Sequence, residues 1–117
     1  MPVQAEYFAL EGLGALQRNA ELIKAQLNPG LRITGFVMTM LDARTRLTEQ
    51  VVDEVYRHYG DLVFTTRIPR SIRLAEAPGF GQPITSFDPA SRGALAYQRL
   101  AQELLDRLVH DYAGARL

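Results

Sequence analysis

The chain has 117 residues, 47% of them hydrophobic and 22% charged, with 13 basic against 13 acidic side chains and no cysteine. That length holds one domain or part of one, zero net charge gives no global pull toward DNA or membrane, and disulfides and thiolate zinc sites are excluded. No apolar run approaches the ~20 residues of a spanning helix, and the Met1–Gln4 start reads as neither the charged nor the apolar part of a signal peptide.

Pro2 to Gln4 reads as the stub of a strand. From about Glu6 to Leu27, Leu13, Leu16, Ala20, Ile23 and Leu27 recur at three and four, the spacing of an amphipathic helix face. Gly12 and Gly14 weaken its first turns, and Asn28-Pro29-Gly30 stops it. Leu31 to Leu41 is nearly continuously apolar in its second half, which predicts a parallel strand buried on both faces. A polar loop, Asp42 to Arg46, leads to a helix from about Leu47 to Tyr59. Val51, Val52, Val55, Tyr56 and Tyr59 mark its apolar side, and Gly60 is its C-terminal cap. Leu62 to Thr66 is β-branched and aromatic, so a third strand, ended by Ile68-Pro69. Ser71 to Ala77 predicts a short helical turn, broken by Pro78-Gly79-Phe80-Gly81. Pro83 to Phe87 reads as a last short extended piece. Asp88 as N-cap, with Pro89 at the first helical position, opens a final helix. Tyr97, Ala101, Leu104 and Leu108 mark it to about His110. Strands alternating with helices define a parallel α/β arrangement.

Two strand ends run into polar, arginine-bearing loops. One is Thr39-Met40-Leu41-Asp42-Ala43-Arg44-Thr45; the other is Ile68-Pro69-Arg70-Ser71-Ile72-Arg73-Leu74-Ala75-Glu76-Ala77-Pro78. In open α/β sheets, ligands bind outside the carboxyl ends of the strands, so these arginines stand where a site would be. Arg67 to Arg73 holds three arginines and no acid, a local excess able to bind phosphates. The same residues read equally as solvated loop arginines paired with Asp42 or Glu76. A P-loop would need glycines whose N–H groups cradle phosphate, a lysine on the phosphates and a Ser/Thr on Mg²⁺. The sole lysine, Lys24, follows no glycine cluster. His58 and His110 have no ligand-spaced partner and read as surface residues. Leu104 to Tyr112 alternates Asp with Arg, unlike the Lys/Arg-rich polar face of a membrane-surface helix, and reads as a core-packing helix.

These two loops resemble the ParA/Soj family of chromosome- and plasmid-partitioning ATPases, a branch of the deviant Walker-A ATPases that includes MinD. The resemblance extends to Pro2-Val3-Gln4-Ala5-Glu6-Tyr7-Phe8-Ala9-Leu10-Glu11-Gly12-Leu13, to Gly81-Gln82-Pro83-Ile84 and to Asp88-Pro89-Ala90-Ser91-Arg92-Gly93, in the family's order and at its spacing. It implies an α/β fold: the C-terminal half of a P-loop NTPase-like parallel sheet with flanking helices, with residues 1–117 forming one partial domain. Carried over by motif, Asp42 contacts the adenine base, while Ile68 and Pro69 shape its backbone contacts. On residue type alone, Asp42 is as well a loop aspartate capping a nearby N–H. The family's DNA-contacting arginines match Arg44 and Arg73, with Arg70 and Arg92 beside them. Gln4, Glu6, Tyr7 and Glu11 fall near the family's switch region and dimer face and receive no catalytic role.

The resemblance further implies ATP and Mg²⁺ in the complete family protein, and neither cofactor nor hydrolysis for this chain alone. Its implied partners are nonspecific DNA, a ParB-type protein, a Walker-A-bearing N-terminal half and a second copy in a homo-oligomer, with no membrane. The implied place is the bacterial or archaeal cytoplasm, on the nucleoid. A stand-alone DNA- or protein-interaction module is the other reading.

Overall fold

Short apolar strands separated by amphipathic helices set the topology. The structure, a computed structural model, describes the backbone of residues 1–115 and the side chains of residues 1–111. Strand β1 (Pro2–Gln4) lies parallel to β2 (Val37–Thr39), with Val3 opposite Met38. Helix α1 (Ala9–Gln26) makes the crossover between them. Helix α2 (Arg46–Tyr59) then returns the chain to a third parallel segment, joined to the residues flanking β2 by single bridges from Phe36 to Val63 and from Leu41 to Pro69. The apolar run Leu31 to Leu41 is therefore a shorter strand than its composition suggests. The predicted strand Leu62 to Thr66 is a 3₁₀ turn at Gly60–Leu62 followed by that one bridge.

Leu13, Phe36, Met38, Val52 and Val55 are the largest fully buried side chains, packed with Val3 and Val63 into one core. Removing such a side chain from water stabilises by about 1.5–3 kcal/mol each. The Phe36 ring meets Tyr59 edge-on at 5.2 Å, and the Tyr56 hydroxyl donates to the Phe64 carbonyl at 2.8 Å. Gly35 permits this closeness. A Cβ there would press into the Phe64 ring and stand 2.6 Å from the Leu62 carbonyl oxygen. Thr45 caps α2 by accepting from the Thr48 N–H, and Gly60, at φ +52°, closes it as expected.

Residues 65–91 are built differently. Ser71 caps a short helix α3 (Ile72–Glu76), a 3₁₀ turn covers Ala77–Phe80, and Gly81 reverses the chain at φ +65°. Pro83 to Phe87 is not extended: Ile84–Phe87 is a helical turn, α4, with the Phe87 and Asp88 N–H groups donating to the Pro83 and Ile84 carbonyls. Proline at the position before α4 suits a helix start, since no intrahelical donor is needed there. The last helix, α5 (Arg92–Ala115), starts later than Asp88-Pro89 predicts. Its cap is Ser91, whose Oγ accepts from the Ala94 N–H at 3.1 Å. Ala77, Ile84 and Ala94, with Leu74 and Phe87, form a second, smaller core.

Much of the apolar surface expected to pack inward stays open. On α1 only Ala9, Leu13 and Ala20 are buried, while Leu16, Ile23 and Leu27 are exposed. On α5, Tyr97, Ala101, Leu104 and Leu108 remain exposed or half-exposed, so its apolar stripe is not core-packed here. The side chain of Tyr112, at the end of that stripe, lies outside the described residues. No described helix is long and apolar enough to cross a membrane.

Candidate nucleotide and polyanion site

The carboxyl ends of β2 and the third segment open into a cleft of about 990 Å³. Both strand ends depart from regular geometry there. Met40 has φ +55°, a left-handed conformation that costs a non-glycine residue about 1–2 kcal/mol. It turns the chain so that the Leu41 N–H donates to the Ile68 carbonyl and the Leu41 carbonyl accepts from the Arg70 N–H. Asp42 and Pro69 are thereby set side by side on the cleft wall. Strained backbone of this kind concentrates at functional sites.

Asp42 fills the role that residue type alone allows. Its Oδ1 accepts from the Arg44 backbone N–H and from Arg44 Nε, both at 3.1 Å. Its Oδ2 accepts from the same guanidinium at 3.4 Å. Arg44, with Arg70 beyond it, holds the Asp42 carboxyl below its usual value. A carboxylate kept ionised, with one oxygen only loosely held, retains acceptor capacity toward a donor in the cleft.

Six arginines line the cleft (Arg44, Arg67, Arg70, Arg73, Arg92 and Arg99) against three carboxylates, Asp42, Glu49 and Glu103. Arg73 is the most engaged, 3.5 Å from Glu76, 3.3 Å from Asp88 and stacked over the Phe87 ring. Arg67 stands 3.9 Å from Glu49. Among the described residues, Arg70, Arg92 and Arg99 have no carboxylate within ion-pairing distance. The exposed pairs contribute little to stability and yield readily to a stronger anion. Net positive charge in a concave site concentrates counter-ions well beyond what a neutral chain does on average.

The structure thus brings Asp42, Pro69, Arg44, Arg70, Arg73 and Arg92 to one cleft. Ile68 is the exception: its side chain is buried, its N–H donates to the Met38 carbonyl and its carbonyl accepts from the Leu41 N–H. Sequence reasoning missed Arg99 and Glu103. The signal was spacing: Arg92, Arg99, Glu103 and Arg107 fall at i, i+7, i+11 and i+15, one stripe of α5. A charged stripe on a helix usually faces water; here Arg92, Arg99 and Glu103 face the cleft. No group of metal-ligating side chains occurs among the described residues.

An α/β chain with a small parallel sheet, flanking helices and its open site at the strand ends fits the C-terminal part of a P-loop NTPase-like ParA fold. No protein-family model matches the chain. It is 51% identical over 108 residues to the chromosome-partitioning ATPase Soj of Thermus thermophilus. It is 51% identical over 104 residues to the sporulation initiation inhibitor protein Soj of Bacillus subtilis, and 47% identical over 107 residues to the chromosome partitioning protein ParA of Caulobacter vibrioides. These matches cover 92%, 89% and 92% of this chain but only 43%, 41% and 40% of the relatives. The chain is therefore homologous to part of the Soj/ParA chromosome-partitioning proteins, spanning about two fifths of their length.

Proposed function

We propose that this chain, as one partial domain, forms the adenine-side wall of a nucleotide site and a sequence-independent DNA-binding surface in a Soj/ParA-type partitioning ATPase. The supporting observation is the cleft itself, which carries Asp42 and Pro69 on one wall and six arginines around them. Asp42 accepts from the exocyclic amino group of adenine, Pro69 packs on the base, and Arg44, Arg70, Arg73 and Arg92 meet DNA phosphates. The residues present do not fit the magnesium–phosphate end of the site: among the described residues, no group of three or more Asp, Glu, His or Cys side chains could hold a metal ion. The phosphate-binding loop and Mg²⁺ ligands come, on this reading, from a Walker-A-bearing N-terminal half outside residues 1–117. A ParB-type protein and a second copy are the partners this reading entails. Arg70, Arg92 and Arg99, which have no carboxylate partner among the described residues, also suit the narrower role of a DNA-interaction module with no nucleotide.

Mixing the chain with the part of the Thermus thermophilus relative that it does not match separates the two. Neither half alone hydrolyses ATP, whereas the mixture does. Asp42→Ala then weakens nucleotide binding by roughly tenfold or more, as expected for a lost hydrogen bond to a charged group at about 1.5–3 kcal/mol. Halves that associate yet bind no nucleotide overturn the nucleotide role and leave the module.

A further inference from the structure

The third parallel segment contains a local irregularity that the nucleotide and DNA readings do not use. Phe64 donates its N–H to the Phe36 carbonyl, and the next such bond to β2 runs from Ile68 to Met38. A regular parallel ladder advances equally on both strands. Here the third segment advances four residues while β2 advances two, so Thr65, Thr66 and Arg67 bulge out of the sheet. Bulges beside sites re-aim the side chains that follow them. The side chains around this one are Arg67 and Arg70, both on the cleft.

The bulge is held by one side chain. Glu103 Oε2 accepts from the Thr65 N–H at 2.8 Å, and Oε1 accepts from the Thr66 N–H at 2.8 Å and the Thr66 hydroxyl at 2.7 Å. Arg107 donates to Oε2 at 3.3 Å. Arg107 is itself anchored by the carbonyls of Asp61 at 2.9 Å and Val63 at 3.1 Å, and lies over the Phe64 ring at 4.1 Å. Four donors converge on two oxygens. Only an ionised carboxylate accepts all four, because a glutamine amide turns an N–H₂ toward an N–H.

We propose that Glu103 is a positioning residue for the cleft: by pinning the Thr65–Arg67 bulge to α5, it sets the reach of Arg67 and Arg70 toward a bound polyphosphate backbone. The inference rests on the polyanion reading of the cleft. What favours it over a purely structural role is where the charge lies. Glu103 lines the arginine cleft, where a carboxylate opposes the binding of any phosphate. A regular ladder would satisfy the Thr66 amide, which follows the Phe64 N–H by two residues, with no charge at all.

That opposition supplies the test. Binding of the full chain to a short DNA duplex is measured against salt concentration for wild type, Glu103→Gln and Glu49→Gln. Simple charge removal predicts that both variants bind more tightly. Positioning predicts that Glu49→Gln tightens while Glu103→Gln weakens, with a log–log salt slope shallower by about 0.9 for each arginine displaced. Glu103→Asp, which keeps the charge, recovers part of the loss. Arginine Nε–H resonances of the same proteins provide a second readout that does not depend on DNA. Arg67 and Arg70 shift in Glu103→Gln and Arg44 does not. Should wild type bind no duplex, the cleft reading falls and the resonances alone decide the positioning claim. Tighter binding by Glu103→Gln, or unmoved Arg67 and Arg70 resonances, overturns it.

Discussion

Residues 1–64 and residues 65–103 fold by different physics. In the first region, order comes from burial: Leu13, Phe36, Met38, Val52 and Val55 are fully enclosed, and ladder bonds join β1, β2 and the start of the third segment. In the second region, few large side chains are buried, and polar groups do the fixing. Ser71 and Ser91 cap helices, Arg73 spans Glu76 and Asp88, and Glu103 gathers Thr65 and Thr66. The cleft lies where the first kind of order hands over to the second. Regions with few buried apolar contacts open at lower free energy than cores. The cleft is thus lined mostly by the more easily deformed region, with Leu41 to Arg44, Thr48 and Glu49 of the stiffer one completing its wall.

If that contrast holds, substitutions in the two regions will unfold the chain to different extents. Phe36→Ala should cost about 3–5 kcal/mol and unfold the whole chain, seen as a lower denaturation midpoint by every probe. Gly93→Ala should cost about 1–3 kcal/mol by overpacking, since its Cβ would sit 2.7 Å from Leu74 Cγ. Leu74→Ala in the same chain should recover part of that. Its signature is hydrogen exchange that rises in α3 to α5 before it rises in β1 and β2. Ser91→Ala removes a helix cap and should cost about 0.5–2 kcal/mol, again felt first at the start of α5.

The acid limb of stability should belong to the second region. Burial pushes the Glu103 carboxyl up, but the bonds from Thr66 and Thr65 and the charge of Arg107 outweigh it, leaving it below its usual value of 4.5. A carboxyl depressed on folding stabilises fully above its unfolded value, and that contribution is lost as pH falls through the lower folded value. Unfolding followed from pH 6 downward should show a decline setting in near and below pH 4.5. Glu103→Gln should flatten that decline. The effect is the smallest of these, because Glu103 remains partly solvated.

What the sequence revealed follows the same division. The helix faces of α1 and α2 and the Gly60 cap were readable, because periodicity and capping are local. The inward set on α1 was only half right, since Leu16, Ile23 and Leu27 lack anything to cover them in this chain. Pro83 to Phe87 was misread because four residues carry too little periodicity to separate a helical turn from an extended piece. Asp88-Pro89 offered a plausible cap, but Asp88 instead pairs with Arg73 across the second core. The cleft residues on the two loops were visible from motif and strand-end position. Glu103 was not, for its partners are backbone N–H groups 37 and 38 residues away, and no side-chain pattern encodes them.

The central claim is that the strand-end cleft binds phosphate backbones through its arginines without reading sequence. Its most direct test is equilibrium binding of the chain to two DNA duplexes of unrelated sequence across a salt series, with Arg44→Ala and Arg73→Ala alongside. The account predicts equal affinity for both duplexes, a linear fall of log K with log salt, and a slope shallower by about 0.9 for each arginine removed. Preference for one duplex, salt-independent binding, or affinity unchanged by both substitutions would contradict it.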